Sequence, residues 1–150
     1  MSELIKHECG IAMLRLLKPL EYYQKKYGTA FYGLDKMYLL MEKQHNRGQD
    51  GVGLANVKID VSPGKRFISR KRSVSVNPIQ DIYKQINKRF LELEKSNPMK
   101  LNDSVWLKQN LPFTGELFLA HLRYGTFGEN TIEQCHPFLR QNNWKTRNLV

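Results

Sequence analysis

The sequence predicts an α+β protein in which helices pack against a β-sheet. Its 150 residues suit one domain, and a hydrophobic share of 41% is ordinary for a globular core. Three apolar runs are typical of strands, and two stretches have the spacing of amphipathic helices, in mixed order along the chain. The strand-like runs are 9–17, 51–59 and 116–123, and the helices are 34–45 and 78–95.

The first strand, residues 9–17, has few polar side chains and is therefore expected to be buried on both faces. Pro19 ends this strand. Residues 18–31 are expected to form a polar, tyrosine-rich connection, which Gly28 closes.

The first helix, 34–45, has apolar side chains at the spacing of one helical face. These are Leu34, Met37, Tyr38 and Met41. Gly48 is expected to end this segment in a left-handed conformation.

The second strand, 51–59, carries glycines that indicate either close approach of another backbone or a bulge. A turn at Ser62-Pro63-Gly64 is expected to reverse the chain. The returning strand, 66–69, would then turn Phe67 inward.

The second helix, 78–95, has a recognisable start. Asn77 is expected to cap it, Pro78 occupies the first helical position, and Gln80 stands where a capping box needs it. Residues 96–115 are expected to be a mixed connector, and 116–123 is the clearest remaining strand.

Composition excludes several classes of function. The net charge is +10, but the basic residues have no aromatic repeat or nucleic-acid motif. A solvated surface, or a face that meets an acidic neighbouring domain, is therefore a better explanation than nucleic acid. No apolar run reaches about 18 residues, and the start lacks an apolar signal core, so we expect no membrane segment and a cytoplasmic protein. Two cysteines without a CxxC, and four histidines without ligand spacing, predict no metal site.

Cys9 is the candidate nucleophile. If residues 1–8 were removed, its free α-amine, with a reference pKa of about 7.7–8.0, could serve as the base for its own thiol. The alternative is a buried strand cysteine that packs as a small hydrophobe.

Two later stretches carry further candidates. Residues 45–53 are rich in glycine between a helix and a strand, which suits either a substrate site or a plain turn in which Asp50 bonds local amides. Arg123 ends an apolar strand before a glycine-bounded loop, where it could bind a carboxylate or pair with a structural acid. Thr126 adds a hydroxyl in that loop.

These stretches contain four motifs in a recognisable order: Cys9-Gly10-Ile11-Ala12, Arg47-Gly48-Gln49-Asp50, His121-Leu122-Arg123-Tyr124-Gly125-Thr126 and His136-Pro137-Phe138. In this order they resemble the class II glutamine amidotransferase family. The form of the second motif is closest to the amidophosphoribosyltransferase branch, which begins purine biosynthesis.

The resemblance implies a four-layer αββα sandwich of the N-terminal-nucleophile hydrolases and release of ammonia from glutamine. Cys9 would attack the side-chain amide, and Arg123 would hold the substrate α-carboxylate. Thr126 would close over the glutamine, Arg47 would shape the pocket, and Tyr124 matches an aromatic position beside the site.

The resemblance also implies what lies outside residues 9–150. Residues 1–8 would be a propeptide, and a phosphoribosyltransferase domain would follow as the partner that receives ammonia, in a homo-oligomer without membrane or nucleic acid. Mg²⁺ and an iron–sulfur cluster would belong to that remainder, with no cofactor in this chain. Because the oxyanion hole would lie beyond Val150, we expect the chain alone to be inactive, with a loss of about 10²–10³ in rate.

Two alternatives remain from the sequence. The chain could belong to another class II amidotransferase with a different ammonia acceptor. It could instead be a non-catalytic, glutaminase-like module that binds a partner or a phosphorylated ligand through its basic surface.

Overall fold

A computed structural model of the chain describes residues 8–125 and 128–139. Within these ranges the strands form one antiparallel sheet of four, in the order β1-β4-β2-β3. The strands are β1 (Gly10–Arg15), β2 (Gly51–Val57), β3 (Ile68–Ser73) and β4 (Leu117–Arg123).

The described ranges also contain four α-helices and three short 3₁₀ turns. The helices are α1 (Leu20–Tyr27), α2 (Tyr32–Lys43), α3 (Pro78–Ser96) and α4 (Ser104–Asn110), and the turns are His45–Arg47, Pro98–Asn102 and Ile132–Gln134. The predicted α+β class is confirmed, as are the two long helices. Among the described residues, no helix has both the length and the apolar character that crossing a bilayer requires.

Helices α2 and α3 cover one face of the sheet and form the core with it. Met37 and Met41 of α2 and Ile82 of α3 are fully buried there against strand side chains such as Phe118. The hydroxyl of Tyr83 donates a hydrogen bond of 2.9 Å to the Leu34 carbonyl oxygen, so the two helices are also joined by a polar contact.

The other face of the sheet is open along β1, and the predicted burial of β1 on both faces is wrong. Ile11 and Met13 are each 66% exposed, whereas Ala12 between them is buried. The helices lie on one side only, so alternate side chains of the strand point away from the core. Met13 is paired with Leu119 of β4, so this apolar surface continues onto the next strand.

The connection between the first strand and the first predicted helix is itself helical, contrary to the prediction. Leu20 anchors α1 in the protein, and the rings of Tyr23, Tyr27 and Tyr32 stack along its outer side, with 4.3 Å between the centroids of Tyr27 and Tyr32. Gly28 ends α1 at φ 77°, as its role in closing this segment requires.

Three local predictions are wrong. Gly48 is extended, at φ −149°, and not left-handed. Phe67 is 38% exposed and does not enter the core. Asn77 is the N-cap residue of α3 and Pro78 its first residue, as predicted, but the Asn77 side chain forms no capping hydrogen bond. By contrast, the Asp103 carboxylate caps α4 by accepting from the Trp106 N–H at 2.8 Å.

Lys58 lies directly after β2, at the end of the sheet remote from Cys9, and is only 5% exposed. Burial, and then the positive charge of Arg66, lowers its pKa from 10.5 to about 8. The unfolded chain therefore binds more protons between these two values, and the folded state gains stability as pH rises through this window. Below about pH 8 the cost of burying the ammonium is present in full.

Replacing this ammonium by an apolar side chain of similar length should stabilise the protein. We expect Lys58→Met to have a higher Tm than the wild type at pH 7, and this advantage should shrink as pH rises from about 8 toward 10.5. Thermal unfolding of both proteins across this pH range measures the difference in Tm. Lys43→Met, at an exposed position at the end of α2, is the control and should show no such trend. A Tm difference between Lys58→Met and the wild type that does not change with pH would contradict the lowered pKa of Lys58.

Candidate active site

The sheet register brings the first and last of the sequence motifs together. Gly10 pairs with Leu122, so Cys9 lies beside the end of β4. The Cys9 sulfur accepts a hydrogen bond from the Tyr124 N–H at 3.4 Å and lies 3.8 Å from the Tyr124 carbonyl oxygen. Cys9 is exposed, so its sulfur is held by backbone and still accessible to a small molecule.

The middle motif joins the same end of the sheet through its backbone. A Cβ built on Gly48 would overlap the Leu122 carbonyl oxygen. Glycine is therefore required here because the backbone of β4 lies so close, and not because the chain turns. The Asp50 N–H donates to the Arg123 carbonyl oxygen at 3.1 Å, and the Asp50 carboxylate accepts from the Gly125 N–H at 2.6 Å. Asp50 therefore fixes the chain on both sides of Tyr124.

Arg123 is 8% exposed and lies under the segment that follows it. Its Nη1 donates to the Asn130 side-chain oxygen at 2.8 Å, and its Nη2 donates to the Gln134 side-chain oxygen at 2.6 Å. Both of these acceptors are neutral amides. The guanidinium thus holds residues 128–135 beside the site.

Residues 135–137 lie across the open face of β2 and β3. Side chains at Gly51 and Gly53 would overlap Cys135 and His136, so the two glycines of β2 make room for this segment. The side chains of Arg70 and Arg72 in β3 donate to the carbonyl oxygens of Pro137 and Cys135, at 3.3 and 3.0 Å. The close backbone approach that the glycines of this strand predicted is confirmed.

A groove of about 410 Å³ lies on the open face, and Ile11, two residues after Cys9 in the chain, is part of its lining. It is lined by the apolar side chains of Ile11, Leu119 and Phe138 together with His121 and His136. The His121 Nδ1 atom is buried without a hydrogen bond to any described residue. Burial, then the neighbouring His136, lowers the pKa of His121, which favours its neutral form.

The other predicted site residues differ in how close they lie to Cys9. Tyr124 is half-buried and its backbone holds Cys9. Arg47 ends the 3₁₀ turn His45–Arg47 and is exposed; no hydrogen bond joins its side chain to Cys9 within the part of the chain that the structure describes. Thr126 lies outside the described residues.

Sequence reasoning missed three side chains that shape this end of the sheet. Asn130 and Gln134 bond the guanidinium of Arg123, and Gln44 donates a hydrogen bond of 3.1 Å to the Ile11 carbonyl oxygen. Polar amides in loops carry no distinctive spacing, so no sequence signal would have identified them. Asp50 was noted for its ability to bond backbone amides, but its partner is 75 residues away.

Within residues 8–125 and 128–139, no group of three or more His, Cys, Asp or Glu side chains could hold a metal ion. No protein-family model matches the chain, and neither the curated proteins nor the solved structures provide a match.

The Asp50 carboxylate should control the order of the Gly125 backbone. We expect Asp50→Ala to raise the amide hydrogen-exchange rate of Gly125, because a charge-assisted bond worth about 1.5–3 kcal/mol is lost. Exchange measured residue by residue tests this. Asp103→Ala is the control, because it removes an equivalent carboxylate–amide bond at α4 and should leave Gly125 unchanged. Unaltered exchange of Gly125 in Asp50→Ala would show that the bond does not hold this loop.

Proposed function

We propose that this chain is the glutaminase region of a class II glutamine amidotransferase, with Cys9 as its nucleophile. The observation that carries the proposal is the contact between the Cys9 sulfur and the Tyr124 backbone, next to the buried Arg123. An exposed thiol and a buried guanidinium, from residues 114 positions apart in the chain, lie at the same end of the sheet. This combination suits a free amino acid as the substrate.

The proposed reaction begins at the thiol of Cys9 after residues 1–8 have been removed. The free α-amine of Cys9 takes the thiol proton, and the sulfur attacks the side-chain amide carbon of glutamine. The C–N bond breaks, the ammonium returns its proton to the leaving nitrogen, and ammonia departs. Water then hydrolyses the thioester, which releases glutamate and restores the thiol.

Arg123 supplies substrate recognition in this proposal. A guanidinium binds a carboxylate through two parallel N–H bonds, and charge-assisted bonds are about twice as strong as those to neutral acceptors. The α-carboxylate of glutamine would therefore replace the amide oxygens of Asn130 and Gln134, which now occupy both Nη atoms. Substrate binding would then release residues 128–135 from their present contacts. Tyr124, Thr126 and Arg47 would complete the pocket.

The proposed fold is one half of an αββα sandwich. Support comes from the one-sided packing: α2 and α3 cover one face, whereas Ile11 and Met13 expose apolar surface on the other, where a second sheet would pack. The Arg47-Gly48-Gln49-Asp50 motif favours phosphoribosylpyrophosphate as the ammonia acceptor, in the first committed step of purine biosynthesis. A phosphoribosyltransferase domain with Mg²⁺ would carry out that transfer.

A non-catalytic, glutaminase-like module is the second candidate. It is favoured by the contacts of Arg123, whose bonds to Asn130 and Gln134 are those an arginine makes when it orders a loop. In such a module Cys9 would keep the residues that precede it.

The mass of the mature protein separates these two candidates. In the full-length gene product purified from its own host, we expect a polypeptide that begins at Cys9, because the reaction needs the free α-amine. Cys9→Ala should abolish ammonia release from glutamine. Cys135→Ala is the matched control: that thiol is buried and its pKa is raised by burial, so the activity should persist. A mature protein that retains residues 1–8 would refute the catalytic proposal.

A further inference from the structure

A groove of about 510 Å³ lies between the outer sides of α2 and α3. This volume is within the range of sites that bind small molecules. Its lining includes side chains at helical spacing on both helices: Asp35, Tyr38 and Leu39 of α2, and Tyr83, Lys84 and Asn87 of α3. Aromatic, apolar and oppositely charged side chains therefore face the same space.

The contacts between the two helices decide which residues face each other across this groove. At one end, Gln80 of α3 donates a hydrogen bond of 2.8 Å to the Glu42 carboxylate of α2. In the middle, the rings of Tyr38 and Tyr83 meet edge to face, with 4.9 Å between their centroids. Residue numbers fall along α2 as they rise along α3, so the helices run antiparallel. The middle of the groove is aromatic.

The opposite end of the groove contains a carboxylate, an amide and an ammonium group. Because the helices are antiparallel, Asp35 lies across the groove from Asn87, and Lys84 lies one turn before Asn87 on the same side of α3. Among the described residues, no hydrogen bond or ion pair reaches these three side chains. Burial raises the pKa of Asp35, and the charge of Lys36 offsets only part of this effect. The carboxylate and the ammonium group thus line one groove without pairing with each other.

We propose that this groove binds a free α-amino acid that has an aromatic or large apolar side chain. The ligand ammonium donates to the Asp35 carboxylate and to the side-chain oxygen of Asn87. The ligand carboxylate accepts from the Lys84 ammonium. The ligand side chain packs against the rings of Tyr38 and Tyr83.

The two charges of the groove select this class of ligand. In an α-amino acid one carbon carries both the ammonium and the carboxylate, so both groups must find their partners at one end of the groove, where Asp35 and Lys84 lie. A simple amine leaves Lys84 without an anion, and a simple acid leaves Asp35 without a cation. Charge-assisted hydrogen bonds are about twice as strong as neutral ones, so a ligand that lacks either group binds less tightly.

This groove is separate from the candidate active site. The side chains that line it all belong to α2 and α3. By contrast, Cys9 and the guanidinium of Arg123 bond to residues that follow β4. The inference therefore does not depend on the glutaminase proposal.

Titration calorimetry of the full-length protein with L-phenylalanine tests the proposal. We expect binding to the wild type, with affinity about tenfold weaker for phenethylamine, which lacks the carboxylate, and for 3-phenylpropionate, which lacks the ammonium. Asp35→Asn should remove the preference for phenylalanine over 3-phenylpropionate, and Lys84→Gln should remove the preference over phenethylamine. Neither side chain bonds to a described residue, so both variants should remain folded, which their Tm checks.

Lys88→Gln is the matched control, because it removes an exposed ammonium of α3 that does not line the groove, and it should bind phenylalanine as the wild type does. Cys9→Ala should also keep the full affinity. No binding of phenylalanine to the wild type would overturn the proposal, as would equal affinities for phenylalanine and either analogue. Unchanged affinity in Asp35→Asn, together with displacement by L-glutamine, would place phenylalanine at the Cys9 site and also overturn it.

Discussion

The position of β4 between β1 and β2 is the constraint on which the rest of the structure depends. Its antiparallel pairing with both neighbours brings Cys9 to Tyr124 and Asp50 to Gly125, although these pairs are 115 and 75 residues apart. A register slip of one residue would turn Arg123 toward the helices and bring core side chains into solvent. Burial of Phe118 and Leu122 on one face of β4 therefore also fixes the side chains of the candidate site on the other.

One-sided packing gives this sheet two chemically different ends. At one end, backbone contacts around Gly48 and Asp50 hold an exposed thiol beside a buried guanidinium. At the other end, Lys58 and Glu116 are buried, and Glu116 forms an ion pair with Lys108 of α4. Ile11 and Met13 expose apolar surface on β1, which begins directly after Cys9. The antiparallel sheet thus keeps the two groups of polar side chains apart and the core continuous.

Features that depend on local periodicity were predictable from the sequence. The spacing of apolar residues predicted the helices α2 and α3. The glycines of β2 predicted that another backbone would approach this strand, and residues 135–137 do so. Features that depend on distant partners were not. The exposure of Ile11 follows from which face the helices cover, and the extended Gly48 follows from its contact with Leu122; neither is encoded in the neighbouring residues. The motifs predicted that the segments of Cys9 and Arg123 would lie together, but not that Asp50 would bond Gly125.

The most direct test of a glutamine site is covalent labelling by a diazoketone analogue of glutamine, followed by peptide mapping of the full-length protein. We expect modification at Cys9 and not at the buried Cys135, protection by L-glutamine but not by D-glutamine, and loss of that protection in Arg123→Lys. Labelling of Cys9 that L-glutamine does not slow, or equal labelling of Cys135, would contradict it.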